Sequence, residues 1–124
     1  MRFLLDTDTC IDLLRGQRTV CDSAEGVSPD DCAVSTVTTY ELLLGVARCR
    51  NPRREEAKVL RLIELMHEVP FHHRAARAAA TVRAGLEGRG QRIGAYDMLL
   101  AGQALADNLV LVTSNTGEFE RIKG

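Results

Sequence analysis

The sequence predicts an α/β protein: a mostly parallel sheet with helices on both faces. Two observations carry this. Short apolar runs alternate with longer segments of helical periodicity, the pattern that produces parallel strands joined by crossover helices. The acidic residues also fall just where those runs end or the helical segments begin, at Asp6, Glu41 and Asp97. In an open α/β sheet the carboxyl ends of the strands line the ligand crevice. These acids are therefore aimed at a common mouth.

Residues 2 to 6 read as a buried strand that closes on Asp6. Thr7, Asp8 and Thr9 offer caps for a helix through Ile11, Leu13 and Leu14, stopped by Gly16. Residues 17 to 31 are polar and suit a loop or a short helix. Cys32 to Ser35 is a second strand, and Thr36 or Thr38 can cap a helix carrying Glu41, Leu42 and Val46. Pro52 suits the first turn of a new helix whose apolar side holds Val59, Leu62, Ile63 and Met66. Val69, Pro70 and Phe71 fit a short edge strand, because proline gives no ladder hydrogen bond. The alanine-rich stretch 73 to 87 predicts a helix, as does 95 to 107, with Leu99, Leu100, Ala104 and Leu105 facing inward. Leu109 to Thr113 is the last clear strand, and a turn or helix is expected over 116 to 122.

The 124 residues suit one domain spanning 1–124. Apolar residues make up 45% and charged residues 27% of the chain, ordinary values for a globular protein. No apolar run approaches the roughly 18 residues of a membrane span, and the N-terminus does not read as a signal peptide, so a cytoplasmic domain is expected. Cys10, Cys21, Cys32 and Cys49 lack the spacing of a zinc site, and Cys10 and Cys32 sit in apolar contexts suited to a core. His67, His72 and His73 form no ligand pattern.

Net charge is −1 and the isoelectric point about 6.3, so no global field draws in nucleic acid. The bases are nearly all arginine, grouped as Arg48, Arg50, Arg53, Arg54 and Arg61, and as Arg74, Arg77, Arg83, Arg89 and Arg92. Two readings fit equally: a rim that grips phosphates through bidentate guanidinium contacts, or solvated helix faces. Leu42, Leu43 and Leu44 fit core or interface better than a binding box, and Arg15 suits either a phosphate or Asp12 on its own helix. Tyr40 and Tyr96 flank two of the acids and suit base stacking or packing.

Carboxylates gathered without matching bases need a cation. Two bare carboxylates about 4 Å apart repel by roughly 4 kcal/mol at an effective dielectric near 20. An all-oxygen set favours a hard ion, Mg²⁺ or Mn²⁺. Asp97 is expected in the first turn of its helix, where the dipole favours its ionised form.

The stretches FLLDTDTCIDLLRG, VSTVTTYELLLGV and RIGAYDMLLAGQALADNLVLVTSNTGEFERI resemble PIN-domain ribonucleases, most closely the VapC-type toxins of bacterial toxin–antitoxin pairs. The likeness runs from Arg2 to Ile122 in order and spacing. It implies a three-layer sandwich with a mostly parallel central sheet flanked by helices. It also implies Mg²⁺- or Mn²⁺-dependent cleavage of a structured RNA such as tRNA or rRNA, a homodimer, and a cognate VapB-like antitoxin whose tail enters the acidic pocket. Asp6 resembles the first metal-binding Asp, Glu41 the acid of a T-x-x-E-L block that begins at Thr38, and Asp97 the second metal-binding Asp in G-x-x-D. Asn115 stands where many members carry Asp, and Glu118 supplies a fourth acid; both join the expected catalytic set. Asp8 replaces an Asn often seen in the family, which leaves the number of metals open.

Three other readings compete. A haloacid-dehalogenase-type phosphatase is suggested by LLDTDTC, with Asp6 as nucleophile, but Cys10 stands at the expected Thr and neither Lys58 nor Lys123 follows a strand. A PIN nuclease of RNA processing, without a toxin role, fits the same residues. A response-regulator receiver domain fits length and fold class, yet its phosphoacceptor Asp and its Lys have no counterparts here.

Overall fold

Strand β1 (Phe3–Leu5) is central because it is apolar on both faces, and it pairs in parallel with β2 (Cys32–Ser35) and β4 (Val110–Val112). Residues 1–91 and 93–113 are described by the computed structural model. Strand β3 (His67–Val69) completes a parallel sheet of order β3-β2-β1-β4. Between the strands run α1 (Thr7–Leu14), α2 (Arg18–Ala24), α3 (Thr36–Arg48), α4 (Pro52–Leu65), α5 (His73–Gly88) and α6 (Ala95–Ala106), with a 3₁₀ turn at Pro29–Asp31. The turn or helix expected over 116 to 122 lies outside the described residues.

Successive strand residues point to opposite faces, and both faces are covered. Leu5 and Val34 pack with Cys10, Leu42, Val46 and Val59 from α1, α3 and α4. Leu4 and Ala33 pack with Ala104 of α6, beside Leu109 and Leu111. This is the three-layer arrangement that buried parallel strands require.

The helix starts follow their caps. Asp6 accepts from the Thr9 N–H, Ser35 from the Val37 N–H and Asn51 from the Arg54 N–H, with Pro52 behind Asn51. Gly16 ends α1 at φ 69°, the conformation glycine adopts most freely. Asn108 does the same after α6 at φ 55°, so the Leu109 N–H reaches back to the Ala104 carbonyl at 2.9 Å. Asparagine is the usual substitute for glycine there, and the stop was readable from sequence.

The caps of α1 and α3 are Asp6 and Ser35 rather than the residues expected after them, because the residue that closes each strand is the one still in extended conformation. Further expectations are corrected. The edge strand is His67–Val69 rather than Val69–Phe71, because the strand stops where Pro70 has no N–H to donate. Leu105 is exposed, one residue off the inward stripe of α6. No ion pair joins Arg15 to Asp12 among the described residues. The open question over residues 17 to 31 resolves into α2 and the 3₁₀ turn. Cys10 is fully buried, whereas Cys32 is half-buried, and all four cysteines are free.

His72 has a structural role. Its Nδ1 accepts the Ala75 N–H at 3.1 Å, so Nε2 carries the proton that meets Asp107 at 2.7 Å. Buried Gln103 donates to the Pro70 carbonyl at 2.9 Å and so ties the same loop to α6.

The alanines of α5 serve close approach as well as helix propensity. A Cβ added at Gly102 would lie 2.5 Å from the Ala79 backbone. Gly102→Ala therefore forces α5 and α6 apart. We expect it to cost about 1–3 kcal/mol, as overpacking of a filled core does, read as a lower urea midpoint with an unchanged slope. A midpoint equal to that of the native protein would contradict the close packing.

Candidate active site

The carboxyl edge of the sheet gathers the site. Asp6 follows β1 directly and is 1% exposed. One carboxylate oxygen accepts the Thr9 N–H at 2.8 Å, and the other accepts the Thr113 hydroxyl from the residue after β4. Among the described residues no ion pair includes Asp6 or Glu41. A carboxylate so buried, without a base beside it, is an unusual placement.

Thr7, the next residue, is also buried and turns to α3. Its hydroxyl donates to Glu41 at 2.6 Å. Thr38 lies 3.2 Å from the same hydroxyl. A hydroxyl has one hydrogen to give, so Thr38 donates to Thr7 in turn. The chain Thr38, Thr7, Glu41 fixes Glu41 beside the mouth that Asp6 floors. Asp97 sits in the first turn of α6, as expected, and bends back over its cap: a Cβ at Gly94 would lie 3.3 Å from its Oδ2.

Tyr40 and Tyr96, the residues before Glu41 and Asp97, meet across α3 and α6. The rings, from α3 and α6, are 5.8 Å apart at 54°, with their hydroxyls 3.5 Å apart. The hydrogen bond with Tyr40 raises the Tyr96 phenol above its ordinary value, and the charges of Tyr40 and Glu41 add to it.

The acids are donors of the right kind for a hard ion. Among the described residues, however, no three His, Cys, Asp or Glu side chains lie close enough to form a metal cage. Asn115 and Glu118 lie outside the described residues. Sequence reading missed Thr7, Thr9 and Thr113 as the groups that hold the acids. The signal was present in the alternation Asp6-Thr7-Asp8-Thr9, where each threonine is placed to serve a neighbouring strand or helix. Asp8 is exposed on α1.

The arginine groups separate. Arg74 pairs with Asp107 at 3.7 Å and Arg83 with Glu87 at 3.4 Å. Arg48, Arg50, Arg53 and Arg54 are exposed about the turn between α3 and α4. Among the described residues none of these four enters an ion pair. Arg48 lies two turns past Glu41, about 10 Å along the helix axis.

Cys10 lies under the site. Burial first, and then the charge of Asp6, push its thiol from 9.0 up to about 12. It stays protonated through neutral pH, and the thiolate is the reactive form. Cys10 is therefore expected to resist an aromatic disulfide reagent at pH 8 while Cys21 and Cys49 react; rapid modification of all four would contradict its burial. Asp6 itself gives a second prediction. Asn keeps the cap and removes the unpaired charge, so Asp6→Asn should be at least as stable as the native protein in chelator. Asp6→Ala loses the cap and should fall by about 1 kcal/mol. A large loss for Asp6→Asn in urea unfolding would show that the charge stabilises the fold.

Comparison with known proteins fits this geometry. Residues 3–124 match the PIN domain family model. The tRNA(fMet)-specific endonuclease VapC of Salmonella typhimurium is 32% identical, over 100% of this chain and 94% of that protein. The DNA-bound VapBC structure from the same organism superposes with a TM-score of 0.93, at 32% identity, over 100% of this chain and 94% of that one. VapBC2 of Rickettsia felis, bound to a promoter DNA fragment, gives 0.90 at 27% identity, over 98% of this chain and 93% of that one. The chain belongs to the PIN domain family, in its VapC ribonuclease branch.

Proposed function

We propose that this chain is a metal-dependent endoribonuclease toxin that cleaves a structured RNA such as tRNA or rRNA and is neutralised by a cognate VapB-like antitoxin. The observation that carries the reading is Asp6, fully buried, without a basic partner, and joined through Thr7 to Glu41. The relatives named as tRNA endonucleases, and the toxin–antitoxin complexes of the same fold, support the substrate class and the partner.

Asp6 and Asp97 would hold Mg²⁺ or Mn²⁺, and Glu41 would assist from beside the ion. Such an ion supplies acidity to a water and offsets charge on a phosphoryl oxygen. Glu41, oriented by Thr7, accepts the proton of the attacking water. In-line attack of that water at phosphorus breaks the P–O3′ bond, and the departing 3′-oxygen takes a proton from solvent, leaving a 5′-phosphate and a 3′-hydroxyl. The exposed arginines of the α3–α4 turn hold the backbone as it leaves the mouth, so the rim reading is favoured for Arg48, Arg50, Arg53 and Arg54. The roles of Asn115 and Glu118 in ligation are part of the same reading. A homodimer is proposed as the resting form.

The antitoxin has an apolar surface available near the acids. Among the described residues a cleft of about 290 Å³ lies between β1, α1 and α2, lined by Phe3, Leu13, Val20 and Val27, and bordered by Thr9 and Thr113. The phosphatase alternative loses ground here. Cys10 is buried, and Lys58 stands exposed on α4 beside Glu55. No helix of the described residues is long and apolar enough to cross a membrane.

Asp97→Asn and Asp6→Asn are each expected to keep the fold by circular dichroism and to lose RNA cleavage by a hundredfold or more, on the order expected when a group acting in the transition state is removed. Chelator should abolish cleavage by the native protein and added Mn²⁺ restore it. Undiminished cleavage by folded Asp97→Asn would overturn the site. Growth arrest on expression, relieved by the neighbouring gene, separates a toxin from an RNA-processing nuclease.

A further inference from the structure

We infer that Tyr40 and Tyr96 form a nucleobase-stacking pair that seats a base next to the scissile phosphate; this rests on the ribonuclease reading. Tyr40 precedes Glu41 on α3 and Tyr96 precedes Asp97 on α6, so the rings and the two acids share the same two helical turns. The rings come from separate helices, α3 and α6, yet meet at 5.8 Å.

Packing does not account for them. Tyr40 is 51% and Tyr96 42% exposed, in a chain where aromatic residues make up 4%. Core aromatics bury their rings, and neither ring belongs to the two core clusters. The 54° tilt and the exposure leave ring surface open to solvent. The hydroxyl contact at 3.5 Å braces one ring against the other, which limits the rotamer freedom a ligand would otherwise have to quench. Stacking suits any base, because every base has a π-face. The pair therefore sets where an unpaired nucleotide sits relative to the acids, and gives a preference for splayed-out bases over duplex.

A protein side chain is the competing occupant. Glu41 follows Tyr40 and is held by Thr7, the chain neighbour of buried Asp6, so the Tyr40 turn of α3 belongs to the site rather than to a remote face. Open ring faces there suit a flat base, and the titration below separates a base from the antitoxin tail expected at the same mouth.

The chain has no tryptophan and two tyrosines, so ring NMR signals from labelled tyrosine report on this pair alone. The titration uses the full chain carrying Asp6→Asn, which holds RNA uncut, with a short single-stranded oligoribonucleotide or its fully abasic counterpart. Both tyrosine signals should move with the base-bearing strand and stay in place with the abasic one. In cleavage by the otherwise native protein, Tyr40→Leu and Tyr96→Leu should each raise KM about tenfold to a hundredfold with kcat little changed, the range expected for one lost stack. Tyr40→Phe and Tyr96→Phe keep the ring and should stay near native. Equal shifts with the abasic strand, or native KM in both leucine variants, would overturn the pair while leaving the nuclease intact. Shifts produced by the antitoxin or by raised protein concentration, and not by RNA, would assign the rings to a protein interface and also overturn it. Failure of the native protein to cleave any RNA would instead sink the ribonuclease reading beneath it.

Discussion

A buried, unpaired carboxylate at the end of the central strand is the constraint on which the rest of the structure depends. Asp6 is at once the last word of β1 and the cap of α1, and the Thr113 hydroxyl from the end of β4 closes on it. Hydrogen bonds to a charged group contribute about 1.5–3 kcal/mol each. Taking a carboxylate out of water costs several kcal/mol. Two such bonds are of the same size as that cost, and neither brings a positive charge to Asp6. The surplus negative charge makes the mouth receptive to a cation, and a fold that keeps it has a use for it.

The site is held by neutral groups. Threonines, rather than bases, restrain the acids: Thr7 and Thr38 orient Glu41, while Thr9 and Thr113 serve Asp6. A hydroxyl fixes geometry without cancelling charge, so the electronegative potential survives for a ligand. The arginines that would cancel it stand out on the α3–α4 turn, where they can meet phosphate instead. This division of labour suits a nuclease. Guanidinium placed beside Asp6 would stabilise the fold and close the mouth.

Much of this was legible in the sequence, for physical reasons. Strands β1, β2 and β4 are short apolar runs ending at polar residues, α3 and α4 carry side-chain caps, and α3, α4 and α6 carry apolar residues at helical spacing, so local chemistry names them. Asp6 and Asp97 were legible because a strand end and a first helical turn are local features. The register of β3 was not, since Pro70 fixes where the strand stops but not on which side of it the pairing lies. Leu105 was misplaced by one step on a helix so apolar that several faces looked equally buried. The threonine tethers left only the alternation Asp6-Thr7-Asp8-Thr9 as a trace, because Thr7 and Glu41 are far apart in the chain and any threonine near a helix start reads first as a cap. The meeting of Tyr40 with Tyr96 depends on how α3 and α6 lie across the sheet, which no local pattern encodes.

The most direct test of the central claim is Mn²⁺ binding, followed by calorimetry on the folded protein without RNA. The account predicts binding to the native chain that disappears in both Asp6→Asn and Asp97→Asn. Binding of undiminished affinity in both variants, or none in the native chain, would contradict it.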